Sequence, residues 1–210
     1  MQNYVITIAR GFGSGGKHIG LRLSEELNIP CYDREIITMA SDKSGIDESL
    51  FVETDEKLRS RYVANFLRKL PHSLVIEPQE KRFISDNNLF NFQAEIIKSL
   101  AKTESCIIIG KCADYILKDY KNVIKVYICA PFDTCTESIM EKMHVTKERA
   151  EQLVRDTDKY RSKYYNYYSG GMNWTNPLNY DVVLNSDELG REKCVEVIKE
   201  MVNIKFGELN

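Results

Sequence analysis

Apolar and polar positions alternate between two periods along this chain. "YVITIA", Tyr4 to Ala9, is a short, β-rich and nearly continuous apolar run that stops at a glycine cluster, as a strand buried on both faces does. From Gly16 to Leu27 the apolar residues Ile19, Leu21, Leu23 and Leu27 fall mostly at helical intervals, and "NIP" closes the segment with Asn28 and Pro30. "CIIIG" (Cys106 to Gly110) and "VIKVYICA" (Val123 to Ala130) repeat the buried-strand pattern on either side of the helix-like "CADYILKDY". "YDVVLN" (Tyr180 to Asn185) reads as another strand, and Val195, Ile198 and Val202 give the following segment a helical period. Strands alternating with helices predict a parallel sheet covered on both faces, with ligands at the carboxyl ends of the strands.

Between Ser41 and Glu104 the alternation stops. Leu58, Tyr62, Phe66 and Leu70 recur every four residues, and a second helical pattern runs from Leu89 to Leu100, so the segment reads as a helical insertion with "LPHSLVIEPQEKRF" as its loop. No internal repeat, low-complexity tract or long linker interrupts the rest, and one domain over residues 1–210 is the expectation.

Composition narrows the class. A formal charge of −2 and a pI near 6.0 supply no global basic field, so no nucleic-acid or acidic-membrane partner is expected. The six cysteines form no C-x-x-C pair and are too sparse for a secreted disulfide scaffold; they read as reduced core thiols. "MQNYVITIAR" lacks the features of a signal peptide and no apolar run approaches a membrane span, which together predict a cytoplasmic protein.

The chemistry concentrates in "RGFGSGGKHIG". Gly11, Gly16 and Lys17 match G-x-x-x-x-G-K, the loop whose backbone amides cradle phosphates, but His18 stands where a Mg²⁺-binding Ser or Thr belongs. Gly11, Gly13 and Gly16 also satisfy the dinucleotide pattern G-x-G-x-x-G, and Asp33 lies 17 residues beyond Gly16, near the place of a ribose-binding acid. Lys17 separates the two: a cation directly after the last glycine serves β- and γ-phosphates and has no use in a dinucleotide site. A ligand-free glycine turn is the third reading, and the entropy cost of so many glycines weighs against it.

The blocks "ITIARGFGSGGKHIG", "IPCYDREII", "CIIIGKCADYIL" and "YDVVLNSDELG" together resemble the cytidylate kinase-like branch of the nucleoside monophosphate kinases. That resemblance, from Val5 to about Gly190, implies a P-loop NTPase fold: a three-layer α/β/α arrangement with a five-stranded parallel sheet, an acceptor-gripping helical insertion at about 41–104 and a basic lid at about 155–175. It implies that Gly11, Phe12, Gly13, Ser14, Gly15, Gly16, Lys17 and His18 bind the donor nucleotide, with Lys17 bridging phosphates. By the same resemblance, Asp33 and Lys111 face the acceptor, the plain reading of Lys111 being a solvated lysine at a helix start; Arg34, beside Asp33, either faces the acceptor phosphate or pairs with Glu35 or Asp33. Relatives carry arginine where this chain has Lys111, and lysine offers a point charge without the two-pronged geometry of a guanidinium.

In "RDTDKYRSKYYNYYSGGMNW", Arg155, Lys159 and Lys163 are four apart and form one stripe of a helix, while Arg161 points elsewhere and lies three residues from Asp158. The plain reading is a solvated helix laced with ion pairs. The resemblance makes Arg155, Lys159 and Arg161 a lid over the triphosphate, with Arg155 and Arg161 joining Lys17 as catalytic residues and Gly170 and Gly171 as a hinge. The expected reaction is transfer of the ATP γ-phosphoryl group to a (d)CMP-like nucleotide, with Mg²⁺ held by the phosphates and Asp33 at most in its outer shell. A nucleotide-binding regulator without turnover is the second expectation, raised by His18 and Lys111, and a dinucleotide-binding protein the third. Apolar residues on the insertion helices could bury against the core or in a homodimer.

Overall fold

A computed structural model describes residues 3–44, 48 and 86–207. Five strands, β1 (Val5–Arg10), β2 (Cys31–Tyr32), β3 (Cys106–Ile109), β4 (Val123–Cys129) and β5 (Val182–Asn185), form one parallel sheet in the order β2-β3-β1-β4-β5. β1 is central because it can be: its residues up to Ala9 are buried, and both its edges are paired, Ile8 with Ile109 on one side and with Val126 on the other. A continuous apolar run tolerates that position, since neither face meets water. β2 pairs with β3 and is separated from β1, an order at odds with the adjacent first and second strands of a dinucleotide fold. The third expectation is thereby overturned.

The chain falls into two compact units, Met1–Asp33 with Ile97–Asn210, and Arg34–Ile96. In the first unit, helix α1 (Gly16–Leu27) lays Ile19 and Leu23 on Ile6, Ile8 and Ile109, and the last helix, Arg191–Phe206, adds Val195, Ile198 and Val202 to the same core. The alternation of side chains along a strand sends Tyr127 to the other face, where its ring stacks on Tyr180 and meets Trp174 edge-on. In the second unit, helix α2 (Glu35–Ser44) packs Ile37 and Ala40 against Leu89, Phe92 and Ile96 of α3 (Asp86–Thr103), beside a Lys43–Glu95 ion pair at 2.9 Å. The helical pattern at Leu58–Leu70 lies outside the described residues.

After β3 the backbone takes positive φ at Gly110, Lys111 and Cys112 before a short helix, α4 (Ala113–Ile116). α5 (Phe132–Met143) and the 22-residue α6 (Lys147–Tyr168) follow β4, packed through Cys135, Ile139, Ala150 and Val154. Thr146 caps α6 by accepting the Arg149 amide, which fixes where the helix begins. All six cysteines are free, and burial pushes the thiols of Cys106 and Cys135 up to about 12 and about 11, so they stay protonated. No helix among the described residues is long and apolar enough to cross a membrane.

One buried acid joins α6 to α4. Tyr165 of α6 donates its hydroxyl to the carboxylate of Asp114 in α4 at 2.7 Å. Burial pushes the Asp114 carboxyl up to about 6, against the Tyr165 bond, the amides of Asp114 and Tyr115 and the charge of Lys125, all of which pull it down. A raised native value means that the fold gains from the protonated acid below its ordinary range and loses that gain as pH rises through about 6. Asp114→Asn removes the ionisation and keeps an oxygen for Tyr165. Urea unfolding from about pH 4 to pH 7 is expected to show this variant gaining on the wild type by on the order of 2 kcal/mol.

Candidate functional site

Where β1 ends, the chain must turn from a central strand into α1 without covering the amides at the start of the helix. Glycine makes that possible at two points. Gly13, at φ 92°, lies so close to α5 that a Cβ there would sit 2.5 Å from the Cys135 carbonyl oxygen. Gly15, at φ 80°, is the residue before α1 and has the Arg191 side chain against it. Both positions require a left-handed backbone and bare space, which only glycine supplies at no steric cost. Ser14 is buried and donates its hydroxyl to the Gly11 carbonyl at 2.9 Å, while the Ser186 hydroxyl lies 2.6 Å from the Ser14 carbonyl. The loop is therefore pinned from inside and from the strand β5 side, with the N-terminal end of α1 aimed outward. That end carries unpaired amides and a partial positive charge, the elements of an anion site.

A cavity of about 600 Å³ opens on this loop. Gly11, Phe12, Gly13, Gly15, Gly16, Lys17 and His18 line it, together with Asp33 from the end of β2 and Arg161 from α6. Five cationic side chains face it against two carboxylates, Asp33 and Glu141, so the site is locally positive in a chain that is acidic overall. Lys17 Nζ donates to Asp33 Oδ2 at 2.8 Å, and Arg10 Nη2 lies 3.8 Å from the other carboxylate oxygen. Burial pushes the Asp33 carboxyl up, but the Lys17 bond and the charges of Arg10, Lys17 and Lys111 outweigh it and leave it below the ordinary carboxylate range. Asp33 is an anion here, already held by the cations that a phosphate would use.

A second carboxylate grips the loop itself. Asp158 of α6 accepts the Phe12 amide at 2.8 Å and lies 3.3 Å from Arg161 Nη1, which also donates to the Arg10 carbonyl at 3.0 Å. Burial raises the Asp158 carboxyl, while Arg161, the Phe12 amide and Arg10 pull the other way. The Arg161 guanidinium also lies over the Phe12 ring, 5.4 Å from its centre.

The other candidates are placed as follows. Arg155 is exposed, stacks on Phe132 at 4.1 Å and pairs with Glu151 at 3.6 Å, and neither it nor the exposed Lys159 lines the cavity. Lys111 acts on Asp33 through its charge, and its backbone has φ 58°. Arg34 opens the second unit and is exposed. His18 is exposed at the rim and supplies no hydroxyl. Among the described residues no three His, Cys, Asp or Glu side chains form a metal cluster. The cavity lining offers the carboxylates of Asp33 and Glu141, oxygen donors of the kind a magnesium ion takes.

Sequence reasoning missed Arg10, Asp158 and Arg191, as well as Ser138, Glu141 and Lys142 on α5. Asp158 left a trace in its i,i+3 spacing to Arg161, but an acid that binds an amide 146 residues away has no local signature.

The family model described as the cytidylate kinase-like family matches residues 5–188. The chain belongs to that family. A cytidylate kinase from Methanosarcina acetivorans is 25% identical over 114 residues, covering 52% of this chain and 62% of that one. The match thus spans about three-fifths of the length of the curated relatives. A crystal structure of an uncharacterized protein from Eubacterium ventriosum superposes with TM-score 0.69 at 25% identity, covering 96% of this chain and 99% of the other. A shikimate kinase from Bacteroides thetaiotaomicron shares the fold, with TM-score 0.50 and 12% identity over 95% of this chain and 98% of its own. The P-loop kinase fold and membership of a cytidylate kinase-like family together support a kinase-like function.

Removing the carboxylate that grips the loop has a defined cost. Asp158→Ala leaves the Phe12 amide and the Arg161 guanidinium without this acceptor and is expected to destabilise the fold by about 1–3 kcal/mol. Asp158→Asn keeps an oxygen for the amide and should lose less. Urea unfolding of the three proteins at neutral pH measures both.

Proposed function

We propose that the protein transfers the γ-phosphoryl group of ATP to a nucleoside monophosphate of the (d)CMP type. The observation that carries this reading is the meeting of Lys17 and Asp33 at 2.8 Å in a cationic cavity built on the glycine loop. The amides at the start of α1 hold the donor polyphosphate, and Lys17 moves from Asp33 onto it. Asp33 and Lys111 serve the acceptor; Arg161 neutralises charge on the group in flight, and Arg155 and Lys159 assist if α6 swings inward. A magnesium ion bound with the nucleotide, with Asp33 in reach of its outer shell at most, would supply further charge neutralisation. No general base is needed, because an acceptor phosphate is already anionic at neutral pH.

Transfer of this kind depends on position and charge more than on any one ligand, so His18 in place of a hydroxyl weakens the metal site without removing the reaction. The same residue favours a second reading, a nucleotide-binding regulator without turnover, in which Lys17 stays with Asp33. Purified protein incubated with ATP, Mg²⁺ and a panel of nucleoside monophosphates distinguishes them. ADP release is expected with one acceptor, dependent on Mg²⁺, and at least about 100-fold slower in Lys17→Ala. Binding of ATP by calorimetry with no release across the panel supports the regulator.

A further inference from the structure

The glycine loop is approached from both flanks of the sheet. β2 and β3 lie on one side of β1 and deliver Asp33 and Lys111, whereas β4 and β5 lie on the other. From β5 a four-residue helical turn, Ser186–Leu189, and Gly190 at φ 76° lead into the last helix, whose first residue is Arg191. The Ser186 hydroxyl, within reach of the Ser14 and Cys129 carbonyls at 2.6 and 3.2 Å, fixes this corner to the loop. The Arg191 side chain then lies along Gly15: a Cβ there would stand 2.8 Å from its Nε and 3.3 Å from its Cδ. The side chain lines the same cavity as Lys17 and Arg161, at the other end of the loop from Gly11 and Asp158.

Arg191 differs from the other arginines around the loop. Arg10 is near Asp33, Arg161 pairs with Asp158 and Arg155 with Glu151, but among the described residues Arg191 forms no ion pair although Asp187, Glu188 and Glu192 are close in sequence. Its stem packs on a bare backbone and its guanidinium keeps its hydrogen-bonding capacity for something that enters the cavity. If the terminal phosphoryl group points to Asp33 and Lys111, the polyphosphate leaves the loop toward the β5 flank.

We infer that Arg191 is a donor-binding residue that holds the phosphate next to the nucleoside, clamping the polyphosphate at the end opposite the site of transfer. This rests on the donor reading proposed above. It adds a cation outside the G-x-x-x-x-G-K pattern, and it assigns Gly15 a second purpose, since any side chain there would displace the Arg191 stem.

Calorimetry with ATP and with inorganic tripolyphosphate tests the role, using wild type, Arg191→Ala, Arg191→Lys and Lys17→Ala. Arg191→Ala is expected to weaken both ligands about 10-fold with an unchanged melting temperature, since the residue is exposed, and Arg191→Lys to fall between. Affinity for the acceptor nucleotide should not change. Binding by Arg191→Ala within about twofold of wild type, while Lys17→Ala loses binding, overturns the inference and leaves the proposed function standing. A loss confined to ATP overturns the phosphate contact in favour of the nucleoside. Failure of the wild type to bind either ligand overturns the donor reading and this role with it.

Discussion

Everything in the site depends on a set of backbone amides being left bare at the end of a strand. β1 is sealed between two neighbours, so the chain has no freedom before Arg10, and α1 is sealed against the sheet by Ile19 and Leu23, so it has none after Gly16. At Gly13 and Gly15 the turn between them carries no side chain, because the backbone of α5 and the side chain of Arg191 come too close there to admit one. Rigid, outward-facing N–H groups follow from those two constraints, and polyphosphate is the class of ligand that such groups fit.

The charges around the loop are arranged for exchange. Three of the cations that face the cavity are held by carboxylates, Lys17 and Arg10 by Asp33 and Arg161 by Asp158, while Arg191 forms no ion pair among the described residues. Even one amide of the loop, that of Phe12, has a carboxylate on it. This lowers the self-repulsion of a cationic cavity, and under the proposed function it would set the affinity at the difference between two charge-assisted contacts, one broken and one made. It also means that α6 is tied to the loop through Asp158 and Arg161 and to α4 through Tyr165 and Asp114, so its position is felt at the site.

Much of this was legible in the residues. The apolar runs at Val5, Cys106 and Val123 are long enough and bounded sharply enough by glycine and turn residues to be strands, and Lys17 weighs against the dinucleotide pattern that the strand order then overturns. α5 has few apolar positions to mark it, and Cys135 and Ile139 become a buried face only through tertiary packing with α6 and Phe12. Arg10, Asp158 and Arg191 were hidden for a related reason. Each reaches its partner from a distant part of the chain, and an arginine or aspartate in isolation has the appearance of ordinary surface charge. The periodicity of Leu58 to Leu70 lies in a stretch on which the described residues are silent.

The central claim is that the amides from Gly13 to His18 bind a polyphosphate. An amide-resolved NMR titration of the ¹⁵N-labelled protein with a non-hydrolysable ATP analogue addresses it directly. The claim predicts large, saturable shifts at Gly15, Gly16, Lys17 and His18, with the buried strand amides of β1 little changed. Saturation of the ligand with those resonances unmoved, or shifts gathered on a distant surface, would contradict it.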